Sequence, residues 1–119
     1  EELPNGAYKI REFDSTKYYN KEGLRDREDG PAVIFDDGWQ QWWRNGKLHR
    51  EDGPALISPS GGMKDWYRHG LLHREDGPAI IREDGKKQYF LEGYQYSFEE
   101  WFQKTTPEGR ISFLFSGGE

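Results

Sequence analysis

The chain has 119 residues, of which 33% are hydrophobic and 16% aromatic, with no cysteine and a formal net charge of −5; its mean hydropathy is −1.11. The length gives one domain, and the lack of Cys excludes disulfides, Cys-type zinc sites and thiol catalysis. No apolar run reaches the roughly 20 residues that span a membrane, and the acidic balance argues against duplex nucleic acid, which selects a basic face.

Disordered chains are poor in aromatics. This composition therefore predicts a folded protein with a thin core built from rings, as in quasi-one-dimensional repeats. No leader peptide is visible, and the missing initiator Met points to a trimmed N-terminus. The lack of Cys fits a cytoplasmic protein, which is the expected location.

Taken in chain order, the first unit opens at Pro4-Asn5-Gly6-Ala7 and lacks an Asp-Gly-Pro turn. Its Tyr18 and Tyr19 fall on Trp42 and Trp43 of the next unit, and its Ile10 falls on Ile34. The organising stretch then appears as Asp26-Arg27-Glu28-Asp29-Gly30-Pro31-Ala32. It returns as His49-Arg50-Glu51-Asp52-Gly53-Pro54-Ala55 and as His73-Arg74-Glu75-Asp76-Gly77-Pro78-Ala79. Gly30, Gly53 and Gly77 are 23 and 24 residues apart. A fixed period of this length marks stacked supersecondary units. The spacing predicts units over about 4–23, 24–46, 47–70 and 71–93.

Within a unit, Ala32 to Phe35, Ala55 to Ile57 and Ala79 to Ile81 are short β-branched runs that read as strands. A Gly-containing turn follows each: Asp36-Asp37-Gly38, Ser58 to Gly62, Glu83-Asp84-Gly85. A second strand is expected over Trp39 to Arg44, Met63 to Arg68 and Lys86 to Leu91, ending at Asn45-Gly46, His69-Gly70 and Glu92-Gly93. Each unit is thus a hairpin plus a return turn. The units together predict an all-β fold, a single meandering antiparallel sheet of about eight strands.

Side chains alternate along a strand. Trp42 and Trp43, Trp66 and Tyr67, and Tyr89 and Phe90 are therefore expected to form two aromatic ladders on opposite faces, tied by cross-strand ring pairs. Beyond them, Ser97 with Glu100 forms a capping box, and Phe98, Trp101 and Phe102 form a helical stripe. A short C-terminal cap helix is expected over about 97–104, stopped at Thr105-Thr106-Pro107. The tail is 105–119: Arg110 to Phe115 alternates weakly and reads as a last strand, and Ser116 to Glu119 reads as frayed.

The second unit reads Trp42-Trp43-Arg44-Asn45-Gly46-Lys47-Leu48-His49-Arg50-Glu51-Asp52-Gly53-Pro54-Ala55. Over about residues 18–102 the chain resembles a family of short tandem repeats from phage, viral and bacterial proteins, similar in style to MORN repeats. The resemblance implies stacked hairpins, no catalytic activity, and a scaffolding or protein-contact role. Asp26 in place of His, and the missing Asp-Gly-Pro at Asn5-Gly6-Ala7, make the first copy an N-terminal cap.

The recurring His, Arg, Glu and Asp look at first like an active site written in a row. The period argues otherwise, because a structural role recurs in each unit whereas an active site is present once. His49 and His73 lie two strands apart, roughly 10 Å, too far to share a zinc ion bound at about 2 Å. The expected role of His49, Arg50, Asp52, Gly53, Pro54, His73, Arg74, Asp76, Gly77 and Pro78 is therefore the structural turn of the repeat. Asp29, Asp52 and Asp76 are expected to cap the Asp-Gly-Pro backbone. The acidic pairs lack EF-hand spacing, and no nucleotide-binding, nucleophile-elbow or zincin motif is present.

The candidate binding residues are Trp42, Trp43, Arg44, Trp66, Tyr67, Arg68, Tyr89 and Phe90, since Trp, Tyr and Arg concentrate at binding hot spots. No catalytic residue, metal or cofactor is expected. The expected function is a protein-interaction module, in its specific form a small phage-type inhibitor or adaptor acting on host machinery. The alternative is a binder of a small anionic ligand or nucleotide through Arg and rings. A protein partner is expected, as is self-association through an aromatic face or a sheet edge.

Overall fold

The structure, a computed structural model, describes residues 1–118. The first unit gives β1 (Tyr8–Arg11) and β2 (Ser15–Tyr19). The second gives β3 (Val33–Phe35), β4 (Gln40–Gln41) and β5 (Trp43–Arg44). The third gives β6 (Lys47–Leu48), β7 (Leu56–Ile57), β8 (Lys64–Asp65) and β9 (Tyr67–Arg68). The fourth gives β10 (Leu71–Leu72), β11 (Ile80–Ile81) and β12 (Lys87–Leu91), followed by β13 (Tyr94–Tyr96), α1 (Phe98–Lys104) and α2 (Pro107–Phe115). Nine strands form one antiparallel sheet in the order β1-β2-β3-β4-β7-β8-β11-β12-β13. The fold is therefore all-β, a sheet of successive hairpins with helix at its C-terminal end.

Two ribbons lie beside this single meander. Strands expected over Trp39 to Arg44 and Met63 to Arg68 break at Trp42 and Trp66, and β5-β6 and β9-β10 form separate two-stranded ribbons. The cause is a switch of partners at the ring residue. The Trp42 N–H donates to the Ala55 carbonyl in the sheet at 2.8 Å, while its carbonyl accepts from the His49 N–H in the ribbon at 3.0 Å. Trp66 does the same between Ala79 and His73, at 2.7 and 3.1 Å.

Two turn chemistries alternate. At Asp36-Asp37-Gly38 the Gly38 N–H returns to the Phe35 carbonyl at 2.9 Å with Gly38 at φ 109°; this is a type I turn closed by a bulge glycine. At the return turns Asn45, His69 and Glu92 sit at φ 48°, 51° and 51°, each before a positive-φ glycine, which is the type I′ hairpin.

The core is thin. Ala32, Ala55 and Ala79 are fully buried just after each Pro, with Val33 and Ile80 beside them on the sheet. The whole measures 47 × 27 × 23 Å, the elongated shape of a stacked array. No helix among the described residues is long and apolar enough to cross a membrane.

The C-terminal end carries the largest buried rings. α1 begins at its capping box, with the Ser97 hydroxyl accepting from the Glu100 N–H and the Glu100 carboxylate accepting from the Ser97 N–H. Trp101 is fully buried, and its indole N–H donates to the Arg74 carbonyl at 2.9 Å. The segment Arg110 to Phe115, expected as a strand, is helical. Thr106 caps α2 by accepting from the Gly109 N–H at 2.9 Å, with Pro107 at the first helical position. Pro107 therefore starts a helix and does not merely stop one, because its missing N–H costs nothing there. Nor are Ser116 to Gly118 frayed: the Gly118 N–H returns to the Phe113 carbonyl at 3.0 Å, with Gly117 at φ 84°, a helix-closing geometry. The expectation for Glu119 lies outside the described residues.

Candidate functional site

The recurring Arg-Glu-Asp-Gly-Pro stretch is a joint built on one guanidinium. Arg27 lies over the Tyr18 ring at 3.9 Å, Arg50 over Trp42 at 4.0 Å and Arg74 over Trp66 at 3.9 Å. Each Nε donates to the Asp two residues on: Asp29 at 3.2 Å, Asp52 at 3.1 Å and Asp76 at 2.9 Å. Each Nη1 donates to the Pro carbonyl four residues on, at 3.0–3.1 Å. The carboxylates expected to cap the turn backbone thus bind the arginine, and the arginine supplies the backbone contact. This explains the glycine: a Cβ on Gly53 or Gly77 would come within 2.9 or 2.7 Å of the guanidinium carbon.

Each of the two histidines ties the start of its unit to the return turn at that unit's end. His49 Nδ1 accepts from the His69 backbone N–H at 2.8 Å, and His73 Nδ1 accepts from the Glu92 N–H at 2.9 Å. Both donors belong to the positive-φ residues of the next return turn. An accepting Nδ1 assigns the proton to Nε2, which faces Glu51 in one unit and Glu75, at 3.0 Å, in the other. Asp26 does the same work in the second unit, its Oδ1 accepting from the Asn45 N–H at 2.8 Å. Asp26 also holds Arg44 at 3.0 Å, and Glu75 holds Arg68 at 3.1 Å. The His73 hydrogen bond, followed by the Arg68 charge, holds the Glu75 carboxyl below the usual glutamate range. Among the described residues no group of three or more His, Asp or Glu is placed to share a metal ion.

The eight candidate binding residues separate into three environments. Trp42, Arg44, Trp66 and Arg68 line one face. Trp43 is half-buried, with its indole N–H on Gln41 Oε1 at 2.9 Å and Arg25 over its ring at 5.1 Å; Tyr67 and Phe90 are also half-buried. Tyr89 is under the cap, against Phe98 at 5.4 Å and Trp101 at 5.0 Å. The expected cross-strand ring pairs are replaced. Among the described residues, ring-on-ring contacts gather at the cap and at the His49–His69 pair, while guanidiniums lie on the first ring of each other unit.

Three grooves of about 540 Å³ each run along the face that holds Trp42 and Trp66. Tyr18, Trp42 and Trp66 contribute one ring to each; the Trp42 and Trp66 grooves lie between successive Arg-Glu-Asp turns, and the Tyr18 groove lies between the first such turn and the N-terminal segment Glu1 to Ala7. Glu28 and Glu51 are groove residues that the sequence reading weighed only as members of acidic pairs and not as binding residues; their recurrence within each Arg-Glu-Asp was the available signal. Glu108 of α2 lines the groove nearest the cap. Chemically the row offers rings, carboxylates and half-exposed guanidiniums at a repeated interval. Compared with protein-family models, curated proteins and solved structures, the chain matches none.

Proposed function

We propose that the chain is a non-enzymatic protein-interaction module of the MORN-like hairpin-repeat kind, with the groove face as its contact surface. The observation that carries this reading is repetition: three grooves of one volume, each with one ring, along one face. A row of equivalent sites suits an extended partner, whereas a reaction centre needs one site with unlike groups. The repeat resemblance supports the specific version, a small phage-type inhibitor or adaptor that engages a host protein in the cytoplasm.

A nucleotide or other small anion is less well served. The rings it would stack on already carry the protein's own guanidiniums, and those guanidiniums already hold Asp29, Asp52 and Asp76. The test is affinity capture with the native chain and with an Arg44→Ala/Arg68→Ala variant. These side chains are 40% and 37% exposed at the groove rims, so the variant is expected to stay folded and to lose its partner. Retention of every captured partner by the folded variant would remove the groove face as the interface.

A further inference from the structure

We infer that the groove row is read by an extended polyproline-II chain carrying a lysine or arginine at every third residue. This rests on the interaction-module reading and names the partner's chemistry. The first argument is spacing. Each unit adds two neighbouring strands to the sheet, as β3-β4, β7-β8 and β11-β12. At about 4.8 Å per strand the grooves therefore recur every ~9.6 Å.

A polyproline-II helix has three residues per turn and a rise near 3.1 Å, so every third side chain returns to one side after ~9.3 Å. Over two intervals the mismatch stays below about 1 Å. A heptad on an α-helix advances ~10.5 Å and drifts by about 2 Å over the same two intervals. A β-strand turns its third residue to the opposite face.

The second argument is the lining. The ring of each groove lies beneath the protein's own guanidinium, so the partner is held at the groove walls, and a polyproline-II chain arrives there with little ordering left to do. Arg44 and Arg68, half-exposed at the rims, face a backbone whose carbonyls make no internal hydrogen bonds. The third argument is charge. Arg27 and Arg50 are tied to their own Asp, while Glu51 and Asp52 remain 70% and 87% exposed. Glu28 lines two of the grooves and Glu108 the remaining one. The complement is an ammonium or guanidinium in each groove.

The test titrates the full chain with an acetylated Pro-Pro-Lys peptide of four repeats, followed by Trp fluorescence and calorimetry. Controls are a peptide of the same composition with its lysines clustered, a Pro-Pro-Glu peptide, and a helical peptide with lysines at heptad spacing. The periodic peptide is expected to bind at least tenfold more tightly than each control. A Glu28→Lys/Glu108→Lys chain with unchanged circular dichroism is expected to lose at least tenfold.

Equal binding of the clustered peptide reduces the effect to bulk charge and overturns the inference. Tighter binding of the helical peptide reassigns the face to a helix and also overturns it, as does an unaffected double variant. If the periodic peptide fails while Arg44→Ala/Arg68→Ala still abolishes partner capture, this inference falls and the interaction-module reading stands.

Discussion

The position occupied by Asp26, His49 and His73 shows that two side-chain types can do one job when the job is to present an acceptor to a strained turn. Each accepts from the N–H of a residue held at positive φ, a conformation that costs a non-glycine residue roughly 1–2 kcal/mol. Removing the acceptor as His49→Leu leaves the His69 N–H unmet and should cost about 1–3 kcal/mol, read by chemical denaturation. His49→Asp should cost far less, because Arg68, the repeat equivalent of the Arg44 that holds Asp26, can turn from Glu75 to the new carboxylate. His73→Asp should cost more than His49→Asp, because Leu91 occupies the next equivalent position and the new carboxylate must share Arg68 with Glu75 beside it. Equal destabilisation by the two Asp variants would show that the acceptor role does not transfer between units.

Asp65 is the residue at odds with its surroundings. It is 7% exposed, one carboxylate oxygen has no hydrogen-bond partner, and burial raises its pKa above 3.8. A raised folded-state value means the fold binds the proton more tightly than the unfolded chain does. Stability is therefore lost as pH rises from 3.8 through the folded value. Asp65→Asn should be more stable than the native chain by about 1–3 kcal/mol at neutral pH, with the gap closing on acidification. Glu75 acts in the opposite direction: its lowered value favours the fold above the ordinary glutamate range and is lost as pH falls through it. A thermal-shift series across pH on both chains separates the two, and an Asp65→Asn advantage that does not shrink in acid would refute the assignment.

At the scale of elements, the cap completes the fourth unit in place of another joint. Tyr89 is the fourth ring in the row, but no Arg-Glu-Asp-Gly follows it. Trp101 fills that place, tilted against the Tyr89 ring at 5.0 Å and bonded through its indole to the Arg74 carbonyl. α2 secures the arrangement by close approach: a Cβ on Gly109 would lie 1.9 Å from the Glu75 carbonyl oxygen. Gly109→Ala must therefore push α2 off the last joint, at a cost of about 1–3 kcal/mol and with red-shifted Trp emission. Ile111→Ala, on a side chain 55% exposed, should stay within about 0.5 kcal/mol of the native chain. Similar losses in both would mean that α2 does not dock through Gly109.

The turns, the period and the capping box of α1 were readable because each is written in adjacent residues. The ribbons were not, since Trp42 and Trp66 have ordinary strand neighbours and the break depends on which carbonyl lies opposite. α2 was missed for a different reason. Phe113 is its one buried ring, while Ile111, Leu114 and Phe115 are 55–88% exposed, so no core-facing stripe betrays the helix. Thr106-Pro107-Glu108 did carry a helix-start signal, outweighed by the alternation after it. The groove face was half legible: the rings and Arg44 and Arg68 stood out, but the guanidiniums that lie on Trp42 and Trp66 come from the next turn in sequence.

For the whole molecule, the joint chemistry makes stability a matter of nearest neighbours. The contacts described at a joint lie within one unit or between adjacent units, so a middle unit is removable if its two neighbours present matching surfaces. Deleting residues 47–70 joins Gly46 to Leu71 and preserves that match. Asp26 still meets the Asn45 turn, and His73 still meets the Glu92 turn. The Arg27 and Arg74 joints each keep their own Asp and Pro. The hold of the cap on the Arg74-Glu75 turn, through Trp101 and Thr105, is left intact. The shortened chain is expected to fold with the same circular dichroism signature and a lower thermal midpoint, because one stacking interface is lost. It should also bind a multivalent partner more weakly, having lost a groove. Deleting 12 residues from the middle of a unit leaves mismatched joints and should abolish cooperative unfolding, so equal behaviour of the two deletions would rule out a nearest-neighbour array.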